Sequence, residues 1–454
     1  MTHRRLARCL LAVLLLALPL AGCRALGLSR EPITLRLMAP HGADDQALQA
    51  LLDAYAVDRR GVTVELVNLS PWPYLQDELA AAVAEARIDV IRGLNAPMGD
   101  DALALWQAGL IQPLDAYLTD AWDELRADSY PGAWQALAHD GRQLGVPASL
   151  DPIVVYATSA AAAYLEIDLE SAWNAAGSPN QPIPWTTDDL AATAALLHQP
   201  RGLPELPALR IEGLCADMFA DPAPLALIHL RGGALLDDLS RPTQPALDRP
   251  ATIAAAAWYA GLYAQGAVGD PPRDQQGLYH GGGLAEAAGS CACGLWFGRY
   301  GDRDGAGTAY PWRCAATMLP LPADAAPTSL AWVEGYYLAD ATPHPNQALD
   351  LIRYLTAHAA ATGSRLPVRL SVARDAAYLD ALPAPVARTA RAYTQTDGAY
   401  WGRTTLISLA AADRLVPTIG EPTLLSSLHA AIDRIARGHP ADDAMRDAQR
   451  AATW

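Results

Sequence analysis

Between residues 33 and 91 the hydrophobic period of the chain changes four times, and this alternation restricts the fold more than any other feature. Ile33, Leu35 and Leu37 alternate with Thr34 and Arg36, the two-residue period of a strand. Asp44 can cap a helix in which Leu48, Leu51, Leu52 and Tyr55 share one face. Gly61 stops that helix, and Val62, Val64 and Leu66 open a second strand. Leu75, Leu79, Ala82, Val83 and Ala86 form another helical stripe, and Ile88-Asp89-Val90-Ile91 reads as a third strand. Strand-helix-strand-helix-strand at this spacing predicts an α/β layer with a parallel sheet, which presents ligands at the carboxyl ends of its strands.

The rest of the chain is less regular. Proline-rich stretches at 199–207 and 241–250 read as loops, and 251–263 as a helix. Leu425, Leu428, Ile432 and Ile435 fall on one helical face that Gly438 ends, and 442–452 forms a last short helix. A chain of 454 residues, 51% hydrophobic and 18% charged, is too long for a single core and far from disordered composition. Two α/β lobes are therefore expected.

The N-terminus reads as an address. His3, Arg4, Arg5 and Arg8 precede an apolar run at 9–20, too short to span a bilayer comfortably. It ends in Leu20-Ala21-Gly22-Cys23, which is similar to a bacterial lipobox. The expectation is a signal peptide over 1–22, acylation of Cys23, and a lipidated tether over 23–30. The protein would then be extracytoplasmic and held to the cell membrane by that lipid. No later run is long and apolar enough for a transmembrane helix. A net charge of −16 makes nucleic acid a poor partner.

Four further cysteines follow the anchor: Cys215, Cys291, Cys293 and Cys314. Outside the cytoplasm they can form one or two disulfides, with three pairings open, or remain thiols. The Cys291-Ala292-Cys293 step lacks a neighbouring His at zinc-ligand spacing. Neither a metal nor any other cofactor is expected.

Several segments carry a resemblance. Gly61-Val62-Thr63-Val64-Glu65-Leu66-Val67, Ile88-Asp89-Val90-Ile91-Arg92-Gly93 and Gly109-Leu110-Ile111-Gln112-Pro113-Leu114-Asp115 come first. Asp140-Gly141-Arg142-Gln143-Leu144-Gly145-Val146-Pro147 and Gly232-Gly233-Ala234-Leu235-Leu236-Asp237 follow. Gly294-Leu295-Trp296 and Pro343-His344-Pro345-Asn346-Gln347-Ala348 complete the order. In this order they resemble the family 1 extracellular solute-binding proteins, relatives of the maltose-binding protein, over nearly the whole chain after Cys23. One departure is Ile88, which stands where the family usually has proline.

The resemblance implies an α/β, two-lobed periplasmic-binding-protein fold with hinge strands and a central ligand cleft. Crossovers would fall near 147–152, 329–334 and 366–369. The N-lobe would combine 31–148 with 332–367, and the C-lobe 149–331 with 368–454. It further implies a monomer that closes on a small-molecule solute, a mono- or oligosaccharide first of all, and docks on an ABC permease.

A sugar presents hydroxyl edges and weakly apolar faces, so its site needs aromatic platforms beside carboxylates, amides and arginines. The chain has 12 Trp and 17 Tyr against 2 Phe, a balance suited to such platforms. By the resemblance, Trp296 stands where the family places a stacking aromatic, and Trp332, Glu334 and Tyr336 occupy the returning hinge that lines the cleft. Beside Leu295 and Phe297, Trp296 can equally belong to a core. Arg92 and Asn95 follow a strand that ends in Ile91, at the ligand edge of a parallel sheet; the alternative is a solvated loop. Asp151 follows the first crossover and can accept hydroxyl bonds or cap a turn before Pro152. His41, Trp72 and Trp401 lie in loops and complete the candidate ligand-binding set.

Other classes fit less well. His280-Gly281-Gly282-Gly283 is similar to an esterase oxyanion loop, but no G-x-S-x-G elbow accompanies it. No HExxH or phosphate-binding GxxxxGK[ST] occurs. Asp302-Arg303-Asp304-Gly305 begins like a calcium loop but lacks its closing Glu. A glycosidase pair cannot be singled out among so many acids, so no catalytic residue is assigned. A binding protein for a non-sugar solute, or one that serves a chemoreceptor or sensor, stays open.

Overall fold

The computed structural model describes residues 32–40, 45–69, 87–93, 102–130, 132–158, 187–198, 212–215, 223–237, 244–269, 293–299, 313–318, 328–359, 366–381, 405–408 and 424–452, with 81, 83 and 85 in addition. The first strand, β1 (Ile33–Pro40), leads into helix α1 (Asp45–Asp58) and then β2 (Val62–Leu69). β1 pairs in parallel with β2 along its full length and with the short β3 (Val90–Arg92) on its other side. The alternating pattern of 33–66 thus becomes the expected parallel layer. Leu35 and Leu37 are fully buried, and Leu48, Leu52 and Tyr55 bury the inner face of α1. The third strand begins two residues later than its apolar run. Asp89 accounts for this: its carboxylate accepts the Arg36 N–H at 2.9 Å and the Thr342 hydroxyl. A side chain so bound ties β3 to its neighbours from outside the ladder.

A short hairpin, β4 (Ala138–His139) and β5 (Arg142–Gln143), precedes β6 (Gly145–Thr158), a strand of 14 residues. Further along lie α2 (Thr187–Leu197), β7 (Glu212–Cys215), α3 (Ala223–Leu230), α4 (Pro250–Ala264), β8 (Val268–Gly269), β9 (Cys293–Arg299) and β10 (Arg313–Met318). Then come β11 (Thr328–Leu338), α5 (Pro345–Ala357), β12 (Leu366–Pro367) and β13 (Thr405–Ser408). Two helices close the chain, α6 (Leu424–Ala436) and α7 (Ala441–Ala451). Helix α4 starts on Pro250, whose fixed φ and missing N–H suit a first turn. Gly438, at φ +93°, follows α6 in the left-handed region that ends helices.

Apart from the β4–β5 hairpin, the described strands form one sheet in the order β2-β1-β3-β11-β6-β9-β7-β8, with β10 and β12 on β6 and β13 on β11. β6 works in two halves. Its first half pairs antiparallel with β11, from Tyr337↔Gly145 to Ala331↔Pro152. Its second half runs between β9 and β10, from Ile153↔Arg299 onwards.

Separate cores flank this strand pair. One joins Leu35, Leu37, Leu48 and Tyr55 to Leu338, Leu351, Ile352 and Leu355. A second packs α2, α3 and α4 against α6 and α7 through Leu190, Leu227, Tyr259, Leu428, Ile432 and Met445. Among the described residues, no helix is long and apolar enough to cross a membrane.

Candidate functional site

The three strands β3, β11 and β6 lie side by side in the sheet, and their register brings together residues far apart in sequence. Tyr336 pairs with Arg92 across β11 and β3, Glu334 with Ser149 across β11 and β6, and Trp332 with Asp151 one step further. A bulge between Glu334 and Gly335 interrupts the ladder at this point. Gly335 packs tightly there: a β-carbon would sit 2.5 Å from Leu137 Cδ1, so that side chain would have to move. Gly145 is excluded from bearing a side chain for the same reason, since its β-carbon would meet the Tyr337 ring at 2.5 Å. Close backbone packing around Tyr337 therefore sets the strand positions.

At the junction Arg92 and Glu334 form a buried ion pair. Arg92 Nε donates to Glu334 Oε1 at 3.1 Å and Nη2 to Oε2 at 3.2 Å. Ser149 Oγ donates to the same Oε2 at 2.7 Å. Both charged side chains are nearly dry, at 7% and 3% exposure. Fork-to-fork geometry plus a hydroxyl donor is the arrangement that offsets the desolvation of two buried charges. Arg92 ends β3 instead of entering a solvated loop, so the loop alternative is corrected: the guanidinium is buried because a carboxylate 242 residues away in sequence meets it. Ser149 was not among the sequence candidates. Its only signal was its position within the first crossover.

The remaining candidates divide clearly. Tyr336 is 4% exposed and packs in the core with Leu35 and Leu338, so its ring serves packing. Asp151 lies in β6 opposite Trp332 in β11, and Trp296 of β9 is level with Tyr156 of β6 and Cys215 of β7. For Asp151, Trp332 and Trp296 the description stops at the backbone. Asn95, His41, Trp72, Trp401 and Cys23 lie outside the described residues.

A second clamp holds the third crossover. β12 pairs with β6 at Leu150 and Ser149. Just beyond, the Asp128 carboxylate accepts Arg369 Nε and the Ser371 N–H, each at 2.9 Å, together with the Ser371 hydroxyl. The Leu370 N–H donates to the Asp128 carbonyl at 2.6 Å. Burial by itself would raise the Asp128 carboxyl, but the bonds from Ser371 and Arg369 outweigh it and hold the group below the ordinary carboxylate range. Among the described residues, no group of three or more metal-ligating side chains comes together.

Comparison with known proteins decides what kind of molecule this is. The sequence model of the family described as bacterial extracellular solute-binding protein matches residues 39–362. The chain belongs to this family.

Solved structures agree with that assignment at the level of fold. The solute-binding chain is similar to a cyclic alpha-maltosyl-1,6-maltose binding protein from Arthrobacter globiformis, with a TM-score of 0.64 at 16% identity, covering 92% of this chain and 98% of that one. An extracellular solute-binding protein from Staphylococcus aureus, in complex with maltose, gives a TM-score of 0.62 at 14% identity, covering 93% and 97%. A sugar transporter protein from Rhizobium etli in an open conformation gives 0.63 at 16%, covering 92% and 98%. The fold is thus the two-lobed α/β fold of periplasmic binding proteins. A search of curated proteins finds no match.

Proposed function

We propose that this solute-binding protein is the lipid-anchored, extracytoplasmic binding subunit of an ABC importer, and that it holds a neutral carbohydrate between its lobes for delivery to a permease. The observation that carries the choice of cargo is the Arg92–Glu334 pair. Arg92 is the candidate cation at the junction, and Glu334 already neutralises it through both carboxylate oxygens. A phosphorylated or carboxylate-bearing solute needs a cation with charge to spare, whereas a neutral sugar needs only oriented donors and acceptors. The sugar-binding neighbours in fold support the same class.

In this reading the lobes divide as 31–148 with 332–367 and 149–331 with 368–454, close to the separation of the two hydrophobic cores. Trp296 and Trp332 supply stacking faces, and Asp151 accepts hydroxyl bonds. Asn95, His41, Trp72 and Trp401 contribute from loops. The protein works as a monomer tethered through Cys23, and ligand contacts on both lobes favour the closed form.

A thermal-shift screen tests the proposal with mono- and oligosaccharides, polyols and glycerol phosphates. A ligand at 100 times its Kd that binds only the folded state adds about 2.7 kcal/mol. We expect a saturable shift from a neutral sugar, lost in Trp296→Ala or Trp332→Ala while the fold survives. A shift confined to phosphorylated solutes overturns the neutral-cargo reading. Product in a parallel hydrolysis assay, without any shift, overturns the binding function. For the anchor, Cys23→Ala should move the protein from the membrane fraction to the soluble extracytoplasmic fraction, and retention in the membrane would refute lipidation at Cys23.

A further inference from the structure

The strand register bears on a question the sequence leaves open, namely which cysteines can be bridged. A disulfide needs Cα atoms within about 7 Å of each other. In the parallel pair of β7 and β9, Cys215 lies level with Trp296, and Cys293 with Glu212. Cys215 and Cys293 are therefore three residues out of register on neighbouring strands. At a rise of about 3.3 Å per residue and a strand spacing of about 4.8 Å, their Cα atoms are roughly 11 Å apart.

Cys314 is farther from both. β9 and β10 pair with the same stretch of β6: Ala157 faces Leu295 on one side and Ala315 on the other. β6 thus runs between them, and Cys293 and Cys314 are separated by two strand spacings, roughly 9.6 Å before any offset along the strands. From Cys314 to Cys215 three spacings intervene, roughly 14 Å. Every pair formed from Cys215, Cys293 and Cys314 exceeds bridging distance.

We propose that no disulfide joins any two of these three cysteines, and that at least two of the three are reduced thiols in the folded protein. The two-bridge arrangement allowed by four cysteines is excluded, because it must pair two of them with each other; a single bridge within this set must use Cys291. Backbone ladders, and no bridge among these three cysteines, join the strands that carry them, although the chain is read as exported into an oxidising space. Cys215 also lies level with Trp296, a candidate sugar platform, on the neighbouring strand.

The test is site-resolved alkylation of the full-length protein expressed in a host that exports and processes it. Cells are quenched in denaturant containing iodoacetamide, and the protein is then reduced and alkylated with an isotopically heavy reagent before digestion. At least two of the peptides bearing Cys215, Cys293 and Cys314 should carry the light label in the majority of molecules. A linked peptide joining any two of the three, confirmed by its disappearance on reduction, overturns the proposal. So does heavy label on two or more of them. Because the readout does not require a ligand, the result is independent of the cargo assignment.

Discussion

At residue scale, Arg92 and Glu334 show how context reverses the value of a charge. Water would solvate either group freely, and a dry interior accepts them only together. Glu334→Gln keeps the shape but leaves Arg92 charged and buried with an amide that donates poorly placed protons. We expect a loss of about 3–5 kcal/mol in urea unfolding at neutral pH. The double variant Arg92→Met, Glu334→Leu removes both charges, and Ser149 must then find a new partner. It should be clearly more stable than Glu334→Gln, which a double-mutant cycle would measure as a strong coupling. The sequence could flag Arg92 because a strand ended near it, and Glu334 because the resemblance placed it in the returning hinge. It could not say that they hold each other, since the pairing exists only once β3, β11 and β6 are in register. Tyr336 shows the same limit: it alternates with Tyr337 along β11, and only the packing of Leu35 and Leu338 against its face makes it a core residue.

At the scale of elements, local signals served best where an element's ends are written in its own residues. The helix expected over 251–263 is α4, with Pro250 at its start, and the apolar stripe of Leu428 and Ile432 becomes the buried face of α6. Third-crossover geometry was less legible. Its position near 366–369 followed from resemblance, but its attachment to Asp128 depends on a carboxylate more than 240 residues earlier. Replacing that carboxylate by Asp128→Ala removes bonds from Arg369 and Ser371, and with them about 1–3 kcal/mol. Hydrogen exchange at the Ser371 amide should quicken at the same time; unchanged protection would show that β12 alone holds the segment. Deep in the helical core the cost is of another kind. Leu428 is fully buried, and Leu428→Ala should cost about 2–5 kcal/mol through lost packing and the cavity left behind.

At the scale of the whole molecule, the helical core carries an acid sensitivity written in two histidines. His429 is buried in α6 and His229 partly buried in α3, and desolvation pushes each imidazole down to about 4. In the unfolded chain both would titrate near 6.5. Between those values the unfolded form takes up protons that the folded form refuses, so stability falls as pH drops through 6.5 towards 4 and is unaffected above that range. The loss is on the order of 3 kcal/mol per histidine at its largest. Urea midpoints at pH 7.5 and pH 5 should therefore differ, and the difference should shrink in His229→Gln and in His429→Gln if either folds. A midpoint independent of pH over this interval would show that water reaches the rings.

The continuity of β6 has a mechanical consequence. The two lobes share a strand whose first half belongs to one hydrogen-bonded ladder and whose second half belongs to another, with Pro152 and Ile153 at the changeover. A joint of that kind has no slack. Reorienting one lobe against the other has to twist the ribbon, much as a torsion bar turns along its length while both ends stay clamped, and the restoring torque comes from backbone bonds that are strained without being broken. On the proposed function, capture of a solute winds the bar and release unwinds it, so the stiffness of a few peptide units between Ser149 and Val155 enters directly into the free energy of each binding event.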